Sequence, residues 1–471
     1  MEKILKWNAE FARNLWLEFS LQRLVAMPAI ILLIVVLIFT NSNDTEQAWR
    51  SLHYFSVAGF VFIGLFWGLK NAADAIMEEY NEKTWDWQKM SIIGPWKLII
   101  GKLFGSTIYN WYGASFCWLI FMVTAIEMPQ PENEFKIGIL LIISMISLPG
   151  LMILLALQLL RKTDGRSKIK SNSIFILGIL LLTFLSNIFG LGMILNEDHV
   201  LHTWYGIKLG VIDIVLFSSL FYCAWIIGGL YRSMRAELQY SDTPSWWMLF
   251  IGSNFLLQFG YFFWNQNYPG IAALAVVTGL LFCELIFLVY FLFFTDAKSI
   301  VNFRLLKNLL THKEYRHFFK NVPLWLISLP VALLIGLLSA VFFMFYPENG
   351  KSDNIFHDIL LEGGAKPFLF WLSISGFVIR DIGILLLLNF SGRSKRTDTA
   401  MLVYLLLLYV IMPLLTKNIG LGAAFYPDIH VSAPGMVIFP ILEVSIVMFL
   451  LVKRWNEISD MVLLKEGNLS V

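Results

Sequence analysis

Charge and cysteine are both scarce in this 471-residue chain: Asp, Glu, Lys and Arg make up 14% of it, and there are three cysteines. So little charge cannot clothe a water-facing surface of this length, which excludes a soluble multidomain enzyme. Cys117, Cys223 and Cys283 all fall in apolar runs without metal-ligand spacing or a disulfide framework, so packed thiols are expected. There is no G-x-x-x-x-G-K-[ST] phosphate loop; the nearest approach, Gly94 to Lys102, has six residues between its glycines and Leu103 where the hydroxyl belongs. The chain is therefore not expected to hydrolyse ATP by itself. No cleavable leader is expected, because charged and aromatic residues fill positions 1–23 and no small-residue cleavage site follows the first apolar run. No nucleic-acid partner is expected either.

What fills the chain instead is apolar: 58% of residues are hydrophobic, 40 of them Phe and 17 Trp, and the mean hydropathy is +0.70. A helical span needs about 20 apolar residues. Twelve windows qualify: 24–41, 53–70, 98–125, 136–160, 172–195, 205–230, 244–264, 270–295, 324–346, 367–390, 400–416 and 434–453. With the N-terminus inside, 29 of the 35 Lys and Arg fall on the cytoplasmic side, the asymmetry that orients polytopic proteins. The expected fold is an all-α polytopic membrane protein of about twelve transmembrane helices, both termini cytoplasmic, in a bacterial cytoplasmic (inner) membrane.

Residues 1–23 precede the first window. Ile4, Trp7, Phe11, Leu15 and Phe19 recur at helical spacing, and Asn8, Glu10, Arg13, Asn14 and Glu18 take the other face. This is an amphipathic element expected to lie in the inner interface. The inner loop 71–97 is helix-compatible to Met90, with Glu78 and Glu82 one turn apart, and Gly94-Pro95 is a firm stop. Trp85 and Trp87 stand out, since a free cytosolic loop seldom exposes two indoles. Either they sit at headgroup level or they plug into a partner's groove. The acidic company of Asp74, Glu78, Glu79, Glu82 and Asp86 is poor for an anionic leaflet and favours the groove.

The order acidic residue, Thr, hydrophobic turn, small-Pro corner and Gly-Lys-Leu at the next span resembles ABC-2 type permeases, the membrane subunits of type V ABC exporters. Glu78, Glu79, Glu82, Thr84, Trp85, Ser91, Pro95, Gly101, Lys102 and Leu103 carry the resemblance. It implies that 1–23 is an elbow helix and that 71–97 is a coupling loop docking into a cytoplasmic ATPase dimer through Glu78, Glu79, Glu82, Thr84, Trp85, Gln88 and Pro95. ATP and Mg would be held by that partner, leaving this chain a transport subunit with no cofactor, metal or catalytic residue of its own. The chain departs from the family in having twelve windows rather than six, and Lys83 where a Gly precedes the Thr.

The doubled count invites a tandem 6+6 arrangement, 24–235 and 236–471, with one chain supplying both halves; a second permease copy is the other option. The inner loop 296–323 then matches 71–97 in length and in its Thr-to-Pro interval, either as a basic coupling segment or as a loop that only holds orientation. Within spans, Glu284, Arg380, Asp381 and Glu443 are deep enough to be costly, and mark either a substrate or proton pathway or an internal ion-pair network. Lys208 and Asp213 reach towards the outer interface. Glu197, Asp198, His199 and His202 form an outer-loop cluster too sparse for a zinc site. Pro149, Pro330, Pro413 and Pro440 are candidate helix breaks. The expected function is ATP-driven export of a hydrophobic or amphipathic substrate; the alternative is a twelve-span ion-coupled secondary transporter.

Overall fold

Long apolar runs without charge have one low-energy form in hydrocarbon, the helix, whose backbone groups are all satisfied within the segment. In the computed structural model, which describes residues 7–162, 178, 202–240, 244–263, 270–296, 298–345, 366–390, 397–416, 424–428 and 432–467, eight helices are long and apolar enough to cross a membrane. The chain is an all-α polytopic membrane protein.

It divides into two units, residues 1–202 with 208–243, and residues 203–207 with 244–471. In the first unit, α1 (Ala9–Glu18) and α2 (Leu21–Asn41) are followed by α3, which runs from Thr45 to Asn81 through a π-helical stretch at Val61–Trp67. Then come the short α4 (Trp85–Lys89), α5 (Pro95–Ile100) with a π-helical turn at Gly101–Gly105, α6 (Ile108–Ala125), α7 (Pro131–Lys162) and α8 (Val211–Glu237). The second unit holds α9 (Ser245–Phe263), α10 (Ile271–Thr295), α11 (Ile300–Thr311), α12 (Tyr315–Asn321), α13 (Leu324–Met344) and α14 (Lys366–Phe390). It ends with α15 (Thr397–Leu406), a π-helical turn at Leu407–Ile411, α16 (Met412–Thr416) and α17 (Ala433–Gly467).

The window at 98–125 is not one helix. α5 and α6 are separated at Ser106 and Thr107, whose hydroxyls donate to the carbonyls of Lys102 and Leu103, both at 2.6 Å. Hydropathy cannot see such a break, because side-chain hydroxyls take over the backbone acceptors without changing the apolar content. The π-helical stretch in α3 is answered similarly: Asn110, fully buried on α6, donates to the carbonyl of Ile63 at 2.8 Å and accepts from Asn71 at 2.8 Å. The window at 205–230 starts later than expected, at Val211, because two three-residue strands precede it and one of them carries Lys208. The window at 172–195 lies outside the described residues except for residue 178.

Pro149, Pro330 and Pro440 sit inside continuous helices, so they are not breaks. Pro413 follows the π-helical turn of 407–411. Cys117 and Cys223 are packed as expected, but Cys283 is exposed on α10, a placement that a weakly polar thiol tolerates against lipid.

Within the first unit α3 packs on α6 and α7 on α8; within the second α10 packs on α13 and α14 on α17. The last contact depends on small residues. A Cβ at Gly376 would come within 2.8 Å of Pro440, and one at Gly383 within 2.5 Å of Val447, so two glycines seven residues apart let the backbones approach. Trp325, Trp371 and Phe293 fill the core of this unit.

Candidate functional site: a braced inner loop and two intramembrane polar clusters

The amphipathic α1 turns its polar face inward. Asn8 and Glu10 are buried, whereas Trp7, Trp16 and Leu17 are exposed. In water this orientation would be inverted; against lipid it is the stable one, since carboxylate and amide then find protein partners. Asn8 caps the helix by accepting from the Glu10 and Phe11 amides, and its own amide donates to the Lys97 carbonyl at 2.7 Å. Asn14 donates to the Gly101 carbonyl at 3.1 Å.

Four charges meet where α1 crosses the ends of α3 and α5. Lys102, only 1% exposed, pairs with Glu10 at 2.8 Å and with Glu79; Arg13 pairs with Glu10 at 2.9 Å and also with Glu79. Two acids and two bases cancel, which is what makes so deep a burial tolerable. Glu79 is the hub, accepting a further hydrogen bond from the Gln88 amide at 2.7 Å. At Arg13 burial lowers the pKa, but the hydrogen bond to Glu79 and the charges of Glu10 and Glu79 outweigh it, and the net shift is upward.

This explains the Gly-Lys-Leu pattern residue by residue. A Cβ at Gly101 would lie 2.5 Å from Glu10 Cγ and 3.1 Å from the Phe11 amide nitrogen, so only glycine lets α1 lie this close. Lys102 supplies the ion pairs, and Leu103 is buried. Gly101→Ala is expected to cost roughly 1–3 kcal/mol by overpacking. Its readout is faster amide hydrogen exchange over 7–18; unchanged exchange would count against the close fit.

The loop itself is a folded corner rather than one helix. α3 ends in a Schellman motif: the Thr84 amide donates to the Glu79 carbonyl at 2.9 Å and the Lys83 amide to the Tyr80 carbonyl at 3.1 Å. Lys83 therefore adopts φ +64, the conformation that favours glycine, at the position where the resembled family carries one. The Thr84 hydroxyl adds a second bond to the Glu79 carbonyl at 3.1 Å. Lys83→Gly is expected to stabilise this corner by about 1 kcal/mol, measured as slower exchange of the Lys83 and Thr84 amides; faster exchange would contradict it. Ser91 closes the next turn on the Gln88 carbonyl at 2.6 Å, and Pro95 opens α5 at its first position.

The seven residues expected to face a partner thus divide. Trp85 is 2% exposed and Glu79 is buried, so neither offers a side chain to a docking protein: they brace the corner from inside. Gln88 and Pro95 are half-buried, while Glu78, Glu82 and Thr84 are exposed. The accessible aromatic is Trp87, at 74%, with Met90, Ile92 and Trp96 also exposed and Asp86 beside it. Two positions apart on a helix point to nearly opposite sides. That spacing is the signal that would have separated Trp85 from Trp87.

In the second unit, Arg380 and Asp381 of α14 lie fully inside the protein. The Arg380 guanidinium donates to Asp381 at 2.8 and 2.9 Å, to Glu443 of α17 at 2.7 Å and to the Phe425 carbonyl at 3.3 Å. Asp381 also accepts from the phenols of Tyr290 and Tyr409 at 2.6 and 2.5 Å. Three of the four expected intramembrane residues are therefore one network, and the tyrosines complete it. Beside it lies a cavity of about 360 Å³ with apolar walls, among them Ile286, Phe294, Phe377 and Leu405. Glu284 stands apart on α10, where Asn254 and Gln258 of α9 both donate to one carboxylate oxygen at 2.6 and 2.7 Å. Asp213 pairs with Lys136 at 2.9 Å, which accounts for its place near a helix end. The outer-loop cluster lies outside the described residues except for His202.

Comparison with protein-family models, with curated proteins and with solved structures finds no match to this chain.

Proposed function

We propose that this chain is the membrane-spanning permease subunit of an ATP-driven exporter of the ABC-2 type, coupling ATP hydrolysis on a separate ATPase dimer to movement of a hydrophobic or amphipathic substrate. The observation that carries the reading is the braced inner corner. An accessible tip of Glu78, Glu82, Asp86 and Trp87 stands on a scaffold in which α1, α3 and α5 are locked by the ion-pair network of Glu10, Arg13, Glu79 and Lys102. A force applied at the tip reaches two membrane helices without first bending the loop, which is what a lever requires. In this reading both termini and the corner lie in the cytoplasm of a bacterium, α1 is the elbow at the inner membrane surface, and ATP and Mg are held by the partner.

The reading includes a tandem 6+6 organisation in which a single chain supplies both halves. In the first unit α3 packs on α6 and α7 on α8, and in the second α10 packs on α13 and α14 on α17. Each inner segment also turns through a Schellman motif with a lysine at positive φ, Lys83 in one and Lys313 in the other.

The test is purification of the tagged full chain from its native membrane in mild detergent. A stoichiometric ATPase whose activity rises in the presence of the chain is the expected result. Transport in proteoliposomes driven by an ion gradient, with no ATPase present, would overturn the proposal. It would favour the twelve-span ion-coupled alternative, to which the buried Glu284, with only amide partners among the described residues, gives its one point of support.

A further inference from the structure

The inner segment of the second unit has a different surface from the tip just described. Between 298 and 320 the sequence carries Lys298, Arg304, Lys307, Lys313, Arg316 and Lys320 against one acid, Glu314. α11 is held to its own unit on one face: Leu306 is buried, Phe303 meets Trp325 and Phe390, and Arg304 donates to the Ile458 carbonyl at 2.8 Å. Of its other apolar residues, Val301, Leu305 and Leu310 are exposed, the first two one helical turn apart. α12 continues the theme, with Tyr315 and Phe319 exposed on one side and Arg316, His317 and Lys320 on the other. Lys313, Arg316 and Lys320 have no carboxylate partner among the described residues. The segment also follows closely on α10 in the chain and leads directly into α13, so it stays near the level at which those membrane helices end.

We propose that 300–321 is an interfacial lipid-binding element: Val301, Leu305, Tyr315 and Phe319 enter the boundary between headgroups and acyl chains, and Lys313, Arg316 and Lys320 bind the phosphates of anionic phospholipid. The chemistry is that of an amphipathic surface helix, apolar and aromatic on one side and basic on the other. Charge separates this segment from the first unit's corner, whose accessible side chains include Glu78, Glu82 and Asp86 and would be repelled by an anionic leaflet. Lipid binding here requires only that the chain spans a bilayer, and stands whether or not an ATPase is the partner. One consequence is that the two inner segments are not equivalent docking sites: one faces protein, the other lipid.

The test uses the full chain, with Cys117, Cys223 and Cys283 replaced by Ala, in nanodiscs of phosphatidylcholine containing phosphatidylglycerol. Spin labels are placed at Phe319→Cys and, for comparison, at Trp87→Cys. Expected is a label at 319 that collides with oxygen and is shielded from a water-soluble nickel chelate, and the reverse at 87. Lys313→Glu, Arg316→Glu and Lys320→Glu together should lower the preference for retained phosphatidylglycerol over phosphatidylcholine by at least about tenfold. A nickel-accessible 319, an unchanged lipid preference, or shielding of 319 only when an ATPase is added would each overturn the proposal, the last in favour of protein docking. The label at 319 decides between lipid and water even where the triple variant fails to fold.

Discussion

Lys102→Ala is expected to destabilise the first unit by roughly 3–5 kcal/mol, the cost of removing one partner from a buried ion pair and leaving the other charge uncompensated. The side chain is 1% exposed and neutralises part of both Glu10 and Glu79. Without it, two buried carboxylates share Arg13 alone, and α1 loses its electrostatic tie to α5. The measurement is thermal unfolding in nanodiscs combined with protease sensitivity near Ser20. A compensating change separates charge balance from simple packing: Glu10→Gln with Lys102→Met leaves the Arg13–Glu79 pair intact and should recover a large part of the loss. If the single and double variants melt together, the network is not what holds α1, and the corner is not braced as a lever must be.

The run Gly101-Lys102-Leu103 is visible in sequence as a pattern. Its cause is not visible there, because Glu10, which pairs with Lys102 and crowds Gly101, lies in another helix far upstream, and one sequence carries no record of which distant charges meet. The polar face of α1 can be read from periodicity, but not its direction. Periodicity says that two faces differ; only the medium outside decides which is turned in, and here Trp7, Trp16 and Leu17 face outward. Lys83 departs from a glycine pattern in sequence, yet the backbone there keeps the positive φ that glycine would have supplied. A lysine holds this conformation at some strain.

Membrane helices are the most legible part, since hydrocarbon admits little else once a run of about twenty apolar residues is present. Their interruptions are not. The separation at Ser106 and Thr107 and the π-helical stretches in α3 and after Ile100 change hydrogen-bond register without changing hydropathy. Arg380, Asp381 and Glu443 are marked by the cost of charge in a span, and their association is the economical answer to that cost. Tyr290 and Tyr409 escape a reading of the sequence because tyrosine is common in membrane helices. Only its hydroxyl's position distinguishes a structural ring from a hydrogen-bond donor to Asp381.

Trp85 and Trp87 separate support from docking by a pair of substitutions with opposite expected signatures. Trp85→Ala empties a buried site and should cost roughly 3–5 kcal/mol of stability, with partner binding falling only as far as the folded fraction falls. Trp85→Phe should be nearly silent, because the buried indole nitrogen has no hydrogen-bond partner among the described residues and the ring's packing is what counts. Trp87→Ala, at a position 74% exposed, should leave the melting temperature unchanged. It should weaken a docked ATPase by about 2–4 kcal/mol, some thirty- to a thousandfold in Kd, as removal of an aromatic interface anchor does. Binding is measured on nanodisc-embedded chain against the ATPase of the proposed complex, and stability on the same samples. Equal loss of affinity in both alanine variants at unchanged stability would mean that Trp85 is turned outward, against its 2% exposure. Full affinity in Trp87→Ala would move the docking surface off this tip, while leaving the braced corner as a purely structural joint between α1, α3 and α5.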